Sequence, residues 1–382
     1  MIIVSHPNVN QYVRALLVAL ESRGELQEFH TTLSFGRRSV PIPRKKIYQH
    51  VYLESLRLLG QRFRQNWLVR HDSGFASIDA VARMLDRQVA RRVKSNAAIY
   101  CYEDSALLAF GAAERRGAKR YYELPIVYWK TVQKLLRQEA MRYPQWEPTL
   151  LATRDSPEKL ERKSAELALA DLVICPSINV QNSLPPGTRA HIAPYGCPSP
   201  VGQERSPKKW KRLRCLFVGA MTQRKGLADL FTALKHLGRT DIELVVLGTP
   251  LLPLSFYRGE YPDFSYEASR PHELVKQVML SCDVLVLPSI VEGRAMVQME
   301  ALSCGLPIVV TANAGAEDLV EPGKTGFVVP IRDPVALAER LNWIADHRDW
   351  VTDIRPDVLE KARLSGWERY TNAILSAILL NP

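Results

Sequence analysis

Two glutamates eight positions apart, Glu292 and Glu300, lie in the segment EGRAMVQME, two residues after the apolar run CDVLVLPS. An ionised carboxylate only accepts hydrogen bonds, so such a pair suits hydroxyl groups, for example those of a sugar and a ribose. A helix predicted over 295–304 places Glu300 about one and a half turns in, so both acids can face one ligand from different depths. We expect a separation of about 8 Å or more, which does not suit a shared metal ion. Two surface glutamates near a helix start are the alternative.

The start of this helix is itself a candidate binding feature. Its first backbone N–H groups, at 293–297, have no partner within the helix and carry the positive end of its dipole. Such groups bind phosphate or sugar oxygens. The residues that would supply them include Gly293, Arg294, Ala295 and Met296.

The loop GAMTQRKG, which begins at Gly219, also joins a predicted strand to a helix. Arg224 and Lys225 would add two cations at that helix N-terminus, which suits a diphosphate. Gly219 would let the backbone pass close to a ligand. The loop is neither a GxGxxG motif nor a P-loop, so neither a nicotinamide nor a P-loop nucleotide site is supported. A basic helix cap explains the loop equally well.

These loops must be positioned by strands and helices, and the chain alternates between the two. The predicted strands are 1–5, 97–102, a strand and loop over 120–129, 172–177, 191–196, 214–220, 242–248, 283–289, 306–311 and 325–330. The predicted helices are 9–24, 105–117, an interrupted stretch over 131–170, 227–238, 272–281, 295–304, 333–347 and 363–380. The segment from 249 to about 270 is predicted as a loop. Such alternation indicates an α/β fold with parallel sheets covered on both faces.

A segment rich in proline and charge, residues 197–212, separates two such runs and is predicted as an interdomain linker. Ligands of doubly wound sheets bind outside the carboxyl ends of the strands. With two facing domains, the ligand should therefore lie in the cleft between them.

Composition narrows the class of protein. The chain has 382 residues, which is enough for two domains. Its share of apolar residues is 46% and its share of charged residues is 24%, both ordinary for a globular protein. No segment has the length and apolar character of a membrane span. The segment MIIVSHPNVN lacks the build of a signal peptide, so we expect a cytoplasmic protein. Six cysteines without a CxxC pair predict buried free thiols rather than zinc ligands or disulfides.

The net charge of +11 is unevenly distributed. Residues 1–196 contain 29 Lys and Arg against 18 Asp and Glu, whereas the remaining residues contain 22 of each. Within 35–70, a single acid, Glu54, accompanies nine bases: Arg37, Arg38, Arg44, Lys45, Lys46, Arg57, Arg62, Arg64 and Arg70. Such a stretch attracts phosphate, anionic lipid or nucleic acid, and a solvated face is the alternative.

Three segments together resemble the C-terminal half of a family 4 glycosyltransferase: FVGAMTQRKGLADL, the long run SCDVLVLPSIVEGRAMVQMEALSCGLPIVVTANAGAEDLVEPGKTGFVVPIRDPVALAERL, and WERY. The similarity covers roughly residues 214–342 and is weaker before the linker. It implies the GT-B fold, in which two Rossmann-like domains face a central cleft. It also implies sugar transfer from a nucleotide diphosphate sugar to a hydroxyl acceptor with retention of configuration. The implied domains are 1–200 for the acceptor, 201–356 for the donor, and a helix within 357–382 that crosses back to the N-terminal domain.

The resemblance also implies site residues. Lys225 would contact the donor diphosphate, Glu292 the hydroxyls of the donor sugar, and Glu300 the ribose. The amides of 293–297 would meet sugar and phosphate, and Glu317 would lie near the donor. No cofactor or metal is expected. Two departures from the family are Ala220, where arginine often follows the glycine, and Arg294-Ala295, where Phe-Gly is common. Arg224 is the candidate replacement for the missing cation.

The acceptor should bind to the N-terminal half, where polar residues follow two predicted strands. His6 follows the first strand, and Glu103 and Asp104 follow the strand 97–102. A carboxylate at this place could stabilise positive charge at the anomeric carbon or position the acceptor hydroxyl. Helix capping explains Glu103 and Asp104 equally well, and turn stabilisation explains His6. For His30 a packed polar side chain is the favoured interpretation.

The leading hypothesis is therefore a glycosyltransferase of glycan, polysaccharide or glycolipid biosynthesis. A glycan or lipid-linked acceptor is expected, with peripheral binding of the basic stretch to an anionic membrane surface. The alternatives are an epimerase or phosphorylase of the same fold, a catalytically silent scaffold, and a basic protein that binds nucleic acid or another polyanion. No recognised nucleic-acid motif is present, so nucleic acid is not expected as a partner.

Overall fold

The strands of the N-terminal half are short and buried, as expected for a parallel sheet covered on both faces. The computed structural model describes residues 1–34, 39–95, 97–202 and 212–379. Seven strands pair in parallel in the order β3-β2-β1-β4-β5-β6-β7. They are β1 (Ile2–Ser5), β2 (Leu26–Thr31), β3 (Ile47–Gln49), β4 (Ala98–Tyr102), β5 (Arg120–Glu123), β6 (Leu172–Cys175) and β7 (Ala190–Ile192).

The C-terminal half contains a second parallel sheet, with six strands in the order β10-β9-β8-β11-β12-β13. They are β8 (Leu213–Val218), β9 (Ile242–Gly248), β10 (Phe264–Ala268), β11 (Val284–Leu287), β12 (Ile308–Thr311) and β13 (Gly326–Val329). The predicted α/β class with two doubly wound parallel sheets is confirmed.

Several helices of the N-terminal half begin at a residue whose side chain caps them. Asn10, Ser77 and Ser156 each accept a hydrogen bond from a backbone N–H of the first turn that follows. The helices of the N-terminal half are α1 (Gln11–Ser22), α2 (Val51–Arg62), α3 (Asn66–Val69), α4 (Ile78–Ala90), α5 (Leu107–Glu114), α6 (Trp129–Arg142), α7 (Pro157–Leu169) and α8 (Ile178–Asn182).

The C-terminal half continues the alternation, and its last helices follow without further strands in the described residues. The helices are α9 (Leu227–Leu237), α10 (Leu254–Glu260), α11 (His272–Leu280), α12 (Met296–Ser303), α13 (Pro334–Asp346), α14 (Asp349–Asp353), α15 (Arg355–Leu364) and α16 (Trp367–Leu379). The prediction of a loop from 249 to about 270 was wrong, because this segment forms α10 and the edge strand β10. Most of the predicted linker, 203–211, lies outside the described residues.

Two parts of the chain cross between the halves. Helix α16 packs against α1, and the hydroxyl of Tyr121 on β5 donates a hydrogen bond of 2.9 Å to the carbonyl oxygen of Ile378. After α6, Trp146 is fully buried and packs against Phe231 and Tyr257 of the C-terminal half. The two sheets are therefore joined by packed side chains as well as by the linker.

The six cysteines are all buried and free, as the sequence predicts. Among the described residues, no helix combines the length and the apolar character that crossing a membrane requires.

Candidate active site

A chamber of about 440 Å³ lies in the cleft, with walls from both halves. Tyr102, Glu103 and Asp104 line it from the carboxyl end of β4, and Arg224 and Glu292 line it from the C-terminal half. We call this cavity the charged chamber. The structure thus brings together acids and bases that lie almost two hundred positions apart in the sequence.

On the C-terminal side, two cations surround one carboxylate. The Lys225 ammonium nitrogen lies 2.7 Å from Glu292 Oε1, and a guanidinium nitrogen of Arg224 lies 3.0 Å from the same oxygen. Arg224 also donates to the backbone carbonyl of Val291 at 2.9 Å, so its direction is fixed by the loop that carries Glu292. The loops after β8 and β11 are therefore tied together at this point.

Burial and charge act in opposite directions on this cluster. Burial alone would raise the pKa of Glu292, but Arg224 and Lys225 outweigh it and hold the pKa below its ordinary value. Burial, assisted by Arg224, lowers the pKa of Lys225, and Glu292 offsets only part of this effect. One carboxylate thus faces two cations, which leaves an excess of positive charge for an anionic ligand.

Two glycines allow this close packing. Gly219 has φ of 139°, and a Cβ atom there would lie 2.8 Å from the Lys225 side chain. A Cβ atom on Gly293 would lie 1.7 Å from the carbonyl oxygen of Pro125, in the N-terminal half. The carbonyl oxygen of Gly293 also accepts a hydrogen bond of 2.7 Å from the Ser177 hydroxyl. Gly293 is therefore the place where the two backbones meet beside the chamber.

On the N-terminal side, Lys163 of α7 pairs with both predicted acids. Its nitrogen lies 2.7 Å from Glu103 Oε1 and 3.0 Å from Asp104 Oδ2. The other carboxylate oxygen of Asp104, Oδ1, is buried and accepts no hydrogen bond from the described residues. Burial, with Asp104 adding to it and Lys163 opposing it, raises the pKa of Glu103. The two acids outweigh the effect of burial on Lys163 and raise its pKa, so the lysine remains a cation.

Glu103 and Asp104 do not cap α5, so the capping alternative was wrong for both. The Glu166 carboxylate instead accepts hydrogen bonds from the backbone N–H groups of Ala106 and Leu107, at 3.0 and 3.2 Å. Asp86 accepts from the next two N–H groups of the helix. Neither Glu103 nor Asp104 is therefore needed as a helix cap, and both residues line the charged chamber.

His6 is buried, and its side chain stabilises the turn that follows β1. Its Nδ1 accepts a hydrogen bond of 3.0 Å from the backbone N–H of Asn8, and its ring lies against Tyr12 and Tyr102. Burial lowers the pKa of His6 to about 3, so the ring is neutral near pH 7. The turn-stabilising alternative is the one that these contacts support. His30 is buried and packed, as expected, with Nε2 3.0 Å from Glu28.

Of the remaining predicted donor residues, Arg294 lines the chamber, whereas Ala295 and Met296 do not. Helix α12 begins at Met296, and Ala295 at its start provides no side-chain cap. The guanidinium of Arg294 is buried and binds Asp318 and the carbonyl oxygens of Tyr195 and Gly315, so it is engaged in packing although the residue lines the chamber.

Glu300 and Glu317 differ in their surroundings. Glu300 is buried on α12 and does not line the charged chamber. Glu317 is exposed, and its Oε1 accepts a hydrogen bond of 2.9 Å from the backbone N–H of Asn179 on α8. Glu317 thus lies where the N-terminal half touches the loop after β12.

Sequence reasoning missed Lys163, Ser177 and Asn179. Lys163 lies in the charged run SPEKLERKSAEL, which looks like a solvated helix face. Ser177 and Asn179 directly follow β6, and their position at the carboxyl end of a parallel strand was a usable signal.

Two bases of the stretch 35–70 form ion pairs with acidic side chains. Lys46 pairs with Glu21 at 2.6 Å and Arg57 with Glu54 at 2.7 Å. The exposed bases are Arg44, Lys45, Arg62, Arg64 and Arg70, while Arg37 and Arg38 lie outside the described residues. Large apolar side chains are exposed within residues 52–67, namely Tyr52, Leu59, Phe63 and Trp67. We call the exposed basic and large apolar side chains of residues 44–70 together the basic aromatic surface.

Within the described ranges, no cluster of three His, Cys, Asp or Glu side chains could hold a metal ion. The charged side chains that line the charged chamber are Glu54, Arg57, Glu103, Asp104, Arg224, Glu292 and Arg294.

Comparison with known proteins supports the two-half arrangement. Residues 202–362 match the sequence model of the family described as glycosyl transferases group 1. An uncharacterised glycosyltransferase of Methanocaldococcus jannaschii is 28% identical over 169 residues, which are 41% of this chain and 40% of that protein. The matched part is thus less than half of the archaeal relative's length. A D-inositol 3-phosphate glycosyltransferase of Corynebacterium efficiens is 26% identical over 308 residues, which are 69% of this chain and 72% of that protein.

Among solved structures, a sucrose-phosphate synthase of Thermosynechococcus elongatus superposes with a TM-score of 0.68. It shares 18% sequence identity, over 99% of this chain and 98% of that one. This likeness concerns the fold of the whole chain, and the family match concerns its C-terminal half. Residues 202–362 thus resemble the glycosyl transferases group 1 family, within a chain that has the GT-B fold.

Proposed function

We propose that this chain is a retaining glycosyltransferase of family 4 that moves a sugar from a nucleotide diphosphate sugar to a hydroxyl acceptor. The observation that carries the proposal is the charged chamber. Arg224 and Glu292 on one wall face Glu103 and Asp104 on the other. Retention and the family number rest on the resemblance of the C-terminal segments.

The donor is assigned to the C-terminal half. Arg224 and Lys225 would bind the diphosphate, because their two charges exceed the single charge of Glu292. Glu292 would accept hydrogen bonds from the sugar hydroxyls and Glu300 from the ribose. The uncapped first turn of α12 would supply N–H groups to sugar or phosphate oxygens.

The acceptor is assigned to the N-terminal half. During transfer, the bond between the anomeric carbon and the donor phosphate oxygen breaks and the nucleoside diphosphate departs, a bond to the acceptor oxygen forms, and the acceptor hydroxyl passes its proton to the Asp104 carboxylate. Asp104 Oδ1 is buried and has no hydrogen-bond partner among the described residues, so it can accept a hydrogen bond from that hydroxyl. Glu103, held by Lys163, would stabilise positive charge at the anomeric carbon. In this scheme Arg224 and Lys225, rather than a metal ion, would balance the charge of the departing diphosphate.

The basic aromatic surface would hold the enzyme on an anionic membrane, from the cytoplasmic side. Each base near such a surface contributes about 1 kcal/mol, so five exposed bases suffice for reversible binding. The exposed rings of Phe63 and Trp67 can enter the headgroup region. This placement suits an apolar acceptor that partitions into the membrane.

The donor assignment is tested with Lys225→Ala and a panel of nucleoside diphosphates and their sugars. Loss of one charged hydrogen bond should weaken nucleotide binding by about 1.5–3 kcal/mol, or roughly 10- to 150-fold in Kd. Lys235→Ala, an exposed lysine on α9, is the matched control and should bind normally. Unchanged nucleotide affinity in Lys225→Ala would rule out the assignment of this loop.

Product analysis separates transfer from the alternatives. A transferase releases the nucleoside diphosphate in step with a glycosylated acceptor. An epimerase would return an isomeric nucleotide sugar, and a phosphorylase would require inorganic phosphate.

A further inference from the structure

A second cavity, of about 470 Å³, lies beside the charged chamber and shares Glu103, Ile126 and Arg224 with it. Its walls are largely apolar and include Val127, Trp129, Val132, Leu136, Leu150 and Leu160. We call it the apolar chamber. Its volume lies within the range of about 300–1,000 Å³ that is typical of small-molecule sites.

The position of the apolar chamber relates it to the acceptor rather than to the donor phosphates. Most of its wall comes from α6, α7 and the segment between them, in the N-terminal half. Ala220, Thr222, Arg224 and Leu251 close it from the C-terminal half. Since Ala220 carries no charge, the wall there remains apolar. Three cations also line it, Lys159, Lys163 and Arg224, but each is already paired with an acid. A diphosphate placed against the apolar walls would lose hydration without gaining comparable partners.

Two buried polar atoms indicate that the occupant carries hydrogen-bond donors. Gln133 Oε1 and Thr222 Oγ1 are buried and have no hydrogen-bond partner among the described residues. Both residues line the chamber and are only 6% and 5% exposed, respectively. Buried polar atoms are seldom left unpaired, because each costs about 1–3 kcal/mol. A ligand hydroxyl can satisfy each of them.

We propose that the apolar chamber binds the body of the acceptor, and that this acceptor is a compact apolar or aromatic alcohol. This inference rests on the proposed transferase function. An occupant of the apolar chamber can present its hydroxyl to the charged chamber at Glu103, which lines both cavities. The end of a polysaccharide chain fits poorly, because its many hydroxyl groups would lie against apolar walls with few partners.

The test is calorimetric titration of the full chain with 2-naphthol, D-glucose and UDP. We expect 2-naphthol to bind both with and without saturating UDP, and to bind more tightly than glucose. Leu151→Asp places a charge in the chamber wall and should weaken 2-naphthol binding at least tenfold without changing UDP binding. Leu274→Asp is the matched control, since Leu274 on α11 is 42% exposed, compared with 43% for Leu151, and lines neither chamber.

A second variant tests the polar atoms. Thr222→Val removes a hydroxyl without a partner among the described residues, so the melting temperature should not fall, whereas the Kd for 2,7-dihydroxynaphthalene, whose second hydroxyl can bind this atom, should rise about three- to tenfold.

Three outcomes would overturn the inference: competition between UDP and 2-naphthol, 2-naphthol binding that Leu151→Asp leaves unchanged, or no 2-naphthol binding at all. If neither UDP nor another nucleoside diphosphate binds while 2-naphthol does, the apolar site stands and the proposed transferase function fails.

Discussion

Replacing Lys163 with methionine should destabilise the folded chain by removing the cation that Glu103 and Asp104 share. The substitution keeps the length of the side chain but leaves two acids beside each other in the cleft wall. The Lys163 and Glu103 side chains are only 9% and 7% exposed, so water cannot replace the lost charge well. Removal of one partner from a buried ion pair costs about 3–5 kcal/mol. Because the Asp104 side chain is 26% exposed, we expect a loss of about 3 kcal/mol.

The loss should depend on pH in a defined direction. Burial already raises the pKa of Glu103, and removal of Lys163 should raise it further. An acid whose pKa is higher in the folded state binds its proton more tightly there, so folding is favoured as the pH falls through that value. The difference in stability between wild type and Lys163→Met should therefore be largest above neutral pH and shrink as the pH falls toward 5.

Urea and thermal unfolding, followed by circular dichroism over a pH series, measure this difference. Lys134→Met, at an exposed lysine on α6, is the control and should change stability by less than about 0.5 kcal/mol. Adding Glu103→Gln to Lys163→Met should recover part of the loss, since one uncompensated charge disappears. A loss below 1 kcal/mol, or one that does not change with pH, would refute the proposed ion-pair energetics.

Four further outcomes are expected. Trp146→Ala should lower the unfolding free energy by about 3–5 kcal/mol, whereas Trp67→Ala, at an exposed position, should leave the thermal midpoint unchanged. Burial lowers the pKa values of His6, His30 and His50, so acid should favour the unfolded state below about pH 6.5, and His50→Gln should flatten the pH dependence of thermal melts. Truncation before Arg363 should abolish transferase activity and leave a C-terminal half that resists limited proteolysis; a fully active truncated enzyme would contradict this. Liposome co-sedimentation should show salt-sensitive binding to anionic vesicles that Arg44→Glu with Lys45→Glu weakens, and no binding to neutral vesicles.

The sequence predicted the alternation of strands and helices well, because the buried strands are apolar runs with polar ends. It also placed Lys225 and Glu292 at the carboxyl ends of β8 and β11. These strands are neighbours in the parallel sheet, so their loops meet, and the structure shows a 2.7 Å contact between the two side chains.

Features that depend on distant residues could not be predicted. For Glu103 and Asp104, helix capping was as plausible as a catalytic role because both precede α5, yet Glu166, some sixty positions later, accepts hydrogen bonds from the first N–H groups of that helix. Helix α10 and β10 were missed because their segment is short, contains Pro262 and borders the edge of the sheet. Trp146 interrupts a helical pattern locally, and its burial against Phe231 becomes visible only when both halves are assembled.

The packing of α16 against α1 also constrains how the chain folds during synthesis. Strand β7, the last of the first sheet, ends at Ile192, whereas α16 ends only at Leu379. At 5–20 residues per second, a ribosome needs on the order of 10–40 s to cover that interval. Throughout it, the apolar residues of α1 that α16 later covers remain open to solvent or to a chaperone. The N-terminal half is therefore synthesised first but completes its packing last. The yield of folded protein should depend on how soon α16 is synthesised.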